Sequence, residues 1–272
     1  MKRFSLYIFA IASLLIISTL NASAATKPRL VVNIVVSSMR ADDLERYANN
    51  FSSSGFRRLT DNGQWFTNAS YDYMQTTTPV SLATIATGAM PSTHGVIADR
   101  WFDYVTNKQI DLIYDKKEQS VNYSGGSGSY SPRNLVAQTL SDALAQQHPD
   151  SRIATIAVEP LSAIVMAGRS GEVYWMETLQ SSWTTSSYYS KELPKWIADY
   201  NYQDKNEEYA IKRWTSLLPY DDYHNSQVSV IEGLQSKSNK RIIHVQDTPL
   251  AKGTMDDIYY QMCYTPAGNT AV

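Results

Sequence analysis

Two short apolar runs constrain the fold of this 272-residue chain more than any other feature. Residues 30–36 form a nearly continuous run that is rich in valine, and residues 153–158 repeat the pattern later in the chain. Runs of this kind are typical of strands that are buried on both faces of a parallel sheet. We therefore expect each run to be a strand in the interior of such a sheet.

Helical patterns accompany both runs. Residues 40–47 carry acidic side chains at the start and a basic side chain near the end, which suits a helix dipole. Residues 133–147 place apolar side chains at helical spacing directly before the second run, and residues 190–200 do so later. Strands that alternate with helices predict an α/β fold, with a mainly parallel sheet flanked by helices. Residues 123–132 are rich in glycine and serine and predict a flexible surface loop.

The first 24 residues have the pattern of a signal peptide. Lys2 and Arg3 precede an apolar run, and residues 22–24 read Ala-Ser-Ala, a typical cleavage site. The expected organisation is a signal peptide at residues 1–24 and one α/β domain at residues 25–272. We therefore expect an exported, periplasmic protein with no transmembrane segment after cleavage; an uncleaved anchor is the alternative.

Charge and cysteine content narrow the possible partners. The formal net charge is −2, and removal of Lys2 and Arg3 would make the chain still more acidic. An acidic chain without a basic run argues against binding to nucleic acid. The one cysteine, Cys263, cannot form an internal disulfide, so the fold must depend on its core.

Thr78 is the residue with the most chemical interest. Thr78 and Pro79 fit the N-cap and first position of a helix that ends at Gly88. As a cap, Thr78 would have a purely structural role. The same position also offers a hydroxyl group in the positive potential of a helix N-terminus, where a phosphate could bind. A threonine nucleophile would still need activation, usually by a metal ion.

Several short motifs then occur in an order that resembles a known family. They are residues 54–59 (SGFRRL), 66–73 (FTNASYDY), 87–88 (TG) and 92–97 (STHGVI), followed by 174–176, 187–194, 213–219 and 264–269. Together they resemble the alkaline phosphatase superfamily, in particular the periplasmic alkaline phosphatases with a threonine nucleophile, which are relatives of the nucleotide pyrophosphatase/phosphodiesterases. The resemblance covers the whole mature chain. It implies the N-terminal half of an alkaline-phosphatase-like fold that is truncated on its C-terminal side.

The resemblance assigns roles to a few positions. It makes Thr78 the matched nucleophile, and it puts Ser37 where the family has an aspartate metal ligand. Asp99 replaces a family asparagine that donates to phosphoryl oxygens. Glu159 and Leu161 replace a lysine and an arginine that clamp the phosphoryl group. These replacements reverse the electrostatics that phosphoryl transfer needs.

The remaining metal ligands of the family are expected beyond residue 269. None of the four histidines substitutes for them: His94 matches a family histidine that is not a ligand, and His148 suits a helix C-terminus. His224 lies in a polar loop and His244 in a strand pattern. We therefore expect no cofactor, or zinc if the chain is a hydrolase.

Three functions remain open. The first is a degenerate, exported family member without metal-dependent catalysis, which keeps the scaffold and a residual ligand pocket at Thr78. The second is a zinc-dependent hydrolase of phosphate mono- or diesters with Thr78 as nucleophile. The third is an envelope binding or assembly module, because a truncated sheet would expose an edge and apolar surface to a second copy or to an envelope protein.

Overall fold

The computed structural model describes residues 28–121, 128–177, 182–203, 205, 206, 208 and 263. The chain divides into two compact units, Met1–Met39 and Arg40–Val272. The predicted signal peptide and the strand pattern around His244 lie outside the described residues. Among those described, no helix is long and apolar enough to cross a bilayer.

In the first unit, the strand predicted at residues 30–36 is not formed. The run has an irregular backbone, and its apolar side chains are exposed; Leu30 and Ile34 are 79% and 77% accessible. A valine-rich pattern reports a tendency to be buried, but a strand also requires a neighbouring strand to bond with. None of the residues described pairs with this run, so the prediction is wrong for this structure.

The second unit is an α/β assembly whose elements we number in chain order. The helices are α1 (Asp43–Arg46), α2 (Phe56–Asn62), α3 (Thr78–Thr87), α4 (Pro91–His94), α5 (Leu140–Gln147), α6 (Pro160–Ala167) and α7 (Lys195–Tyr202), with a 3-10 turn at Ala48–Asn50. The strands are β1 (Arg100–Asp103), β2 (Lys108–Asp111), β3 (Ala154–Ala157), β4 (Glu172–Glu177) and β5 (Ser182–Thr184).

The described strands form two sheets. β1 and β2 make an antiparallel hairpin. In the three-stranded sheet, β4 lies between β3, with which it pairs in parallel, and β5, with which it pairs antiparallel. The predicted strand at residues 153–158 is thus present as β3, with α6 as the crossover to β4. Its residues alternate between exposed and partly buried, because the described residues cover one of its two faces.

The core is divided by β4. Val173 and Trp175 face the main cluster, to which α3 and α6 contribute most of the aliphatic side chains. Tyr174 and Met176 face a second cluster with Trp183, Ile197 and Cys263. Successive strand residues point to opposite faces, so β4 is buried on both sides. Tyr174, Trp175 and Trp183 therefore belong to the core.

The helix predicted at residues 133–147 begins seven residues later than expected. Thr139 caps α5: its Oγ1 accepts from the Asp142 amide at 3.1 Å, and the Asp142 carboxylate accepts from the Thr139 amide at 3.1 Å. This capping box fixes the start of the helix at Leu140. The predicted apolar stripe is consequently incorrect at Val136 and Leu140, which are exposed, whereas Leu135 is buried.

The last described helix, α7, also begins later than predicted, because Pro194 is its N-cap. Ile197 of α7 shares the second cluster with Trp183 of β5, and one side-chain amide also links the two elements. Asn201 accepts from the Trp183 amide and donates to the Trp183 carbonyl, both at 2.8 Å. Asn201 thereby satisfies backbone groups of β5 as a neighbouring strand would.

Candidate functional site

The N-terminus of α3 contains the candidate nucleophile. In the structure Thr77 is the N-cap of α3. Thr78, which the sequence predicts as the N-cap, is instead the first residue of the helix. Thr77 has an extended backbone (φ −67°, ψ 158°), and its carbonyl accepts from the Ser81 amide at 3.0 Å. Pro79 is compatible with the first turn because its nitrogen needs no acceptor there. Gly88 ends the helix in the left-handed conformation, as predicted.

The environment of Thr78 suits a ligand contact better than a capping role. Its side chain is half-buried, and no side chain caps the first turn of α3. The amide groups of this turn are therefore not satisfied by a side chain. A ten-residue helix adds a positive potential at this end. The N-terminus of α3 thus has the local properties of a weak anion site.

A partly buried hydrogen-bond network links α3 to α4 and to Tyr73. The Val96 amide donates to Nδ1 of His94 at 3.1 Å, so the ring proton is on Nε2. Nε2 then donates to Oγ1 of Thr84 at 3.1 Å, and the hydroxyl of Tyr73 donates to the same oxygen at 2.8 Å. Burial lowers the pKa of His94, which favours this neutral form. His94 is consequently a structural residue, with both nitrogens engaged.

This network is not apparent from the sequence. Tyr73, Thr84 and His94 are about ten residues apart, with no shared periodicity. The only available signal is the adjacency of His94 to Gly95, which lets the chain turn with φ 74° and bring the Val96 amide to the ring. The structural role of this network is therefore apparent only from the structure.

The other candidate positions of the second unit carry no basic side chain. Asp99 is exposed in a bend before β1, and its carbonyl accepts from the Leu112 amide at 2.9 Å. Glu159 is the exposed N-cap residue of α6, and its side chain does not cap the helix. Leu161 packs against the main core. The helix α6, which begins after Glu159 and contains Leu161, packs directly against α3.

A zinc centre does not fit the residues that are described. Nowhere in this part of the chain do three His, Cys, Asp or Glu side chains cluster as metal ligands would. Ser37 lies in an exposed turn of the first unit. His148 ends α5 and is exposed, as predicted from the helix dipole; His224 and His244 lie outside the described residues.

Comparison with known proteins establishes the family. The sequence profile of the type I phosphodiesterase / nucleotide pyrophosphatase family matches residues 31–268. The chain therefore belongs to this family, within the alkaline phosphatase superfamily, as the motifs predict. The crystal structure of wild-type alkaline phosphatase PafA superposes with a TM-score of 0.76 at 31% identity, and the match covers 91% of this chain and 48% of that one. The α/β fold class is thereby confirmed.

Two curated relatives show the extent of the similarity. Alkaline phosphatase PafA of Elizabethkingia meningoseptica is 32% identical over 233 residues, which are 85% of this chain and 43% of that protein. A protein of Myroides odoratus named calcium-transporting ATPase is 32% identical over 251 residues, which are 90% of this chain and 45% of that protein. The chain spans about half the length of these relatives.

Proposed function

We propose that this chain is a degenerate member of its family, which keeps the phosphatase scaffold and a ligand pocket at Thr78 but does not catalyse metal-dependent hydrolysis. The family itself consists of phosphoric ester hydrolases. The observation that carries the proposal is the character of two positions at the start of α6, the helix that packs against α3. Glu159 is acidic and exposed at the start of α6, and Leu161 is apolar and packed into the core.

Electrostatics explains why these positions matter. A phosphoryl group that is being transferred carries negative charge on its oxygens and is stabilised by cationic side chains or metal ions. Glu159 would repel that charge, and Leu161 can neither donate a hydrogen bond nor supply a charge. Asp99 adds a second carboxylate in the same unit. The helix N-terminus alone offers only a weak anion site.

Export is part of the proposal. Its support is the pattern of residues 1–24, with Lys2 and Arg3 before an apolar run and a small-residue cleavage site. We expect the mature protein to begin at Ala25 and to be located in the periplasm. Amino-terminal sequencing of the secreted form would test this expectation.

Zinc content and hydrolysis test the proposal directly. The purified mature protein, Thr78→Ala and the matched control Thr77→Ala should be assayed with an aryl phosphate and an aryl phosphodiester. We expect no stoichiometric zinc after dialysis, and no hydrolysis that depends on Thr78. Stoichiometric zinc, together with hydrolysis that disappears in Thr78→Ala but not in Thr77→Ala, would overturn the proposal.

A charge-reversal variant tests the observation that carries the proposal. The double variant Glu159→Lys/Leu161→Arg should bind inorganic phosphate at least tenfold more tightly than the original protein, as measured by calorimetry. The matched control is Glu45→Lys/Leu59→Arg, which makes the same changes at exposed positions of α1 and α2. Equal phosphate binding by the original protein and both variants would show that these positions do not control the site.

The hydrolase alternative retains one favourable observation, the half-buried position of Thr78 in an uncapped first turn. The zinc and hydrolysis assays decide between the hydrolase and the degenerate, non-catalytic protein.

The assembly alternative is favoured by the exposed apolar run at residues 30–36. A mass that rises with protein concentration in light scattering, and no longer does so in Ile34→Lys, would support it.

A further inference from the structure

Residues 91–97, which comprise α4 and the turn after it, are anchored to the unit mainly by two side chains. His94 and Val96 are each 1% accessible, whereas the residues between and beside them are exposed: Ser92, Thr93, Gly95 and Ile97. A helix of four residues is not stable on its own, so α4 depends on contacts with the rest of the unit. Those contacts are made mainly with α3. We refer to residues 91–97 as the α4 segment.

The two anchoring residues are joined by a bond that only one protonation state of His94 allows. The Val96 amide donates to Nδ1 of His94 at 3.1 Å. This bond needs the lone pair on Nδ1, which the neutral ring has and the imidazolium ion lacks. A second proton on the ring would make Nδ1 and the Val96 nitrogen two donors that face each other. Protonation therefore removes the bond and leaves a buried amide without its acceptor.

The surroundings of His94 do not compensate a positive charge. The element α3 presents the Thr84 hydroxyl to the ring, the segment before α3 presents the Tyr73 hydroxyl to the same oxygen, and apolar Val136 lies beside Gly95. Among the described residues, burial alone accounts for the lowered pKa of His94, and no charged side chain contributes. A cationic ring at this position would lose its hydration and gain no counter-charge.

Opening of the α4 segment would relieve this cost locally. The rest of the unit is held by contacts that do not involve the segment, since α3 packs most closely against α6, and β4 pairs with β3 and β5. Local opening returns the ring and the Val96 amide to water and exposes two buried side chains. Unfolding of the whole unit would expose both clusters of the core. Local opening is therefore the less costly response.

We propose that the α4 segment is an acid-sensitive latch, in which protonation of His94 at Nδ1 releases residues 91–97 from α3 while α3 and the three-stranded sheet stay folded. The released state exposes the part of the main cluster that Val96 covers. No step involves Thr78, so the inference does not depend on the proposed function.

The direction of the response follows from the two states of the ring. In the open segment His94 takes up a proton near its usual pKa of about 6.5, and in the closed segment it does so only at lower pH. A fall in pH through this range therefore favours the open segment. Each unit of difference between the two pKa values raises the ratio of open to closed segment about tenfold in acid.

Hydrogen exchange of single amides, followed by NMR on the purified full chain at pH 7.5 and 5.0, tests the inference. The rates are converted to protection factors, because the intrinsic exchange rate itself varies with pH. We expect the protection of the Val96 amide to fall about tenfold in acid. The Ser81 amide of α3, which bonds to the Thr77 carbonyl, and the Met176 amide of β4, which bonds to the Val158 carbonyl, should keep their protection.

His94→Asn is the decisive variant. The side-chain oxygen of asparagine accepts from the amide two residues later, as Nδ1 does here, but it does not titrate. Loss of the Nε2 bond to Thr84 should lower protection equally at both pH values, so the ratio between the two values is the readout, and we expect it to be close to one. The matched control is His148→Asn, which removes an exposed histidine at the end of α5 and should leave the response intact.

A second measurement needs no variant. In the original protein, the midpoint of the loss of protection at Val96 should coincide with the titration of the His94 ring, followed by its Cε1 proton signal. Three outcomes would overturn the inference: unchanged protection of Val96 in acid, a loss that occurs apart from the titration of His94, and an equal loss at Val96, Ser81 and Met176. The last would mean that the whole unit unfolds. A normal acid response in His94→Asn would likewise contradict the role of this ring.

Discussion

Nε2 of His94 lies 3.1 Å from Oγ1 of Thr84, and this contact joins α4 to the middle of the helix that begins at Thr78. The Thr84 oxygen also accepts from Tyr73, so one hydroxyl holds three segments together. The candidate site is consequently supported by a group two turns away along the same helix.

Replacement of Thr84 by valine should destabilise the protein by about 1–3 kcal/mol, because the variant leaves donors of His94 and Tyr73 without their acceptor. Urea unfolding measures the loss. Thr93→Val is the control: Thr93 is exposed on α4, and its replacement should change the free energy of unfolding by less than about 0.5 kcal/mol. Equal losses in the two variants would contradict the role of the network.

Stability should also fall as the pH is lowered through the usual pKa of histidine. Burial lowers the pKa of His94 in the folded state, so between the folded and unfolded pKa values the unfolded chain binds a proton that the folded chain does not. The contribution of neutral His94 to the free energy of unfolding is therefore fully present above about pH 6.5 and is lost progressively below it. Urea unfolding at pH 7.5 and 5.5 should show the difference, and His94→Asn should reduce it. If the free energy of unfolding of His94→Asn differs as much between the two pH values, the pH dependence arises from other titratable groups.

Gly168 should tolerate no side chain, although Gly88 should. Gly168 has a φ of 69°, and an added Cβ would lie 2.4 Å from Oγ1 of Thr139 and 2.5 Å from Oδ2 of Asp142, which form the capping box of α5. Gly88 has a similar φ of 66°, but nothing lies within 4 Å of an added Cβ. Gly88→Ala should therefore cost about 1 kcal/mol from backbone strain alone. Gly168→Ala should cost at least about 3 kcal/mol. Similar thermal stabilities of the two variants would contradict the close packing at Gly168.

Cys263 should be unreactive in the folded protein. Burial, together with the charges of Glu159 and Glu177, raises the pKa of its thiol to about 11, and its Sγ lies 3.5 Å from Sδ of Met176. At pH 8 the thiol is therefore protonated, and reaction with iodoacetamide should be slow. Addition of urea should accelerate it to the rate of a small free thiol. Rapid labelling of the folded chain would show that Cys263 is not in the second cluster.

The family and the fold class could be predicted from the sequence, because the motifs around Thr78 keep their order and the strand at residues 153–158 is followed by a helix. Local signals also placed the end of α3 at Gly88. The start of α5 was predictable in principle, since Thr139 and Asp142 have the spacing of a capping box, but the apolar stripe of residues 133–147 outweighed it.

Other features depend on contacts that no local pattern encodes. The apolar run at residues 30–36 shows a preference for burial and does not specify its partner. The bond between His94 and Thr84 depends on how α4 turns back onto α3, which no periodic pattern of residues indicates. The roles of Thr78, Asp99 and Ser37 stay predictions, because their chemistry depends on activity rather than on the fold.

The junction between residues 118–121 and 185–187 has a consequence for the order of folding. The Gln119 amide donates to Oγ of Ser187 at 2.9 Å, that hydroxyl donates to Glu118 at 2.7 Å, and the Val121 amide donates to the Thr185 carbonyl at 2.9 Å. These partners are more than 60 residues apart, so each bond closes a long loop. Because closing loops of this length costs conformational entropy, we expect the junction to form late in folding.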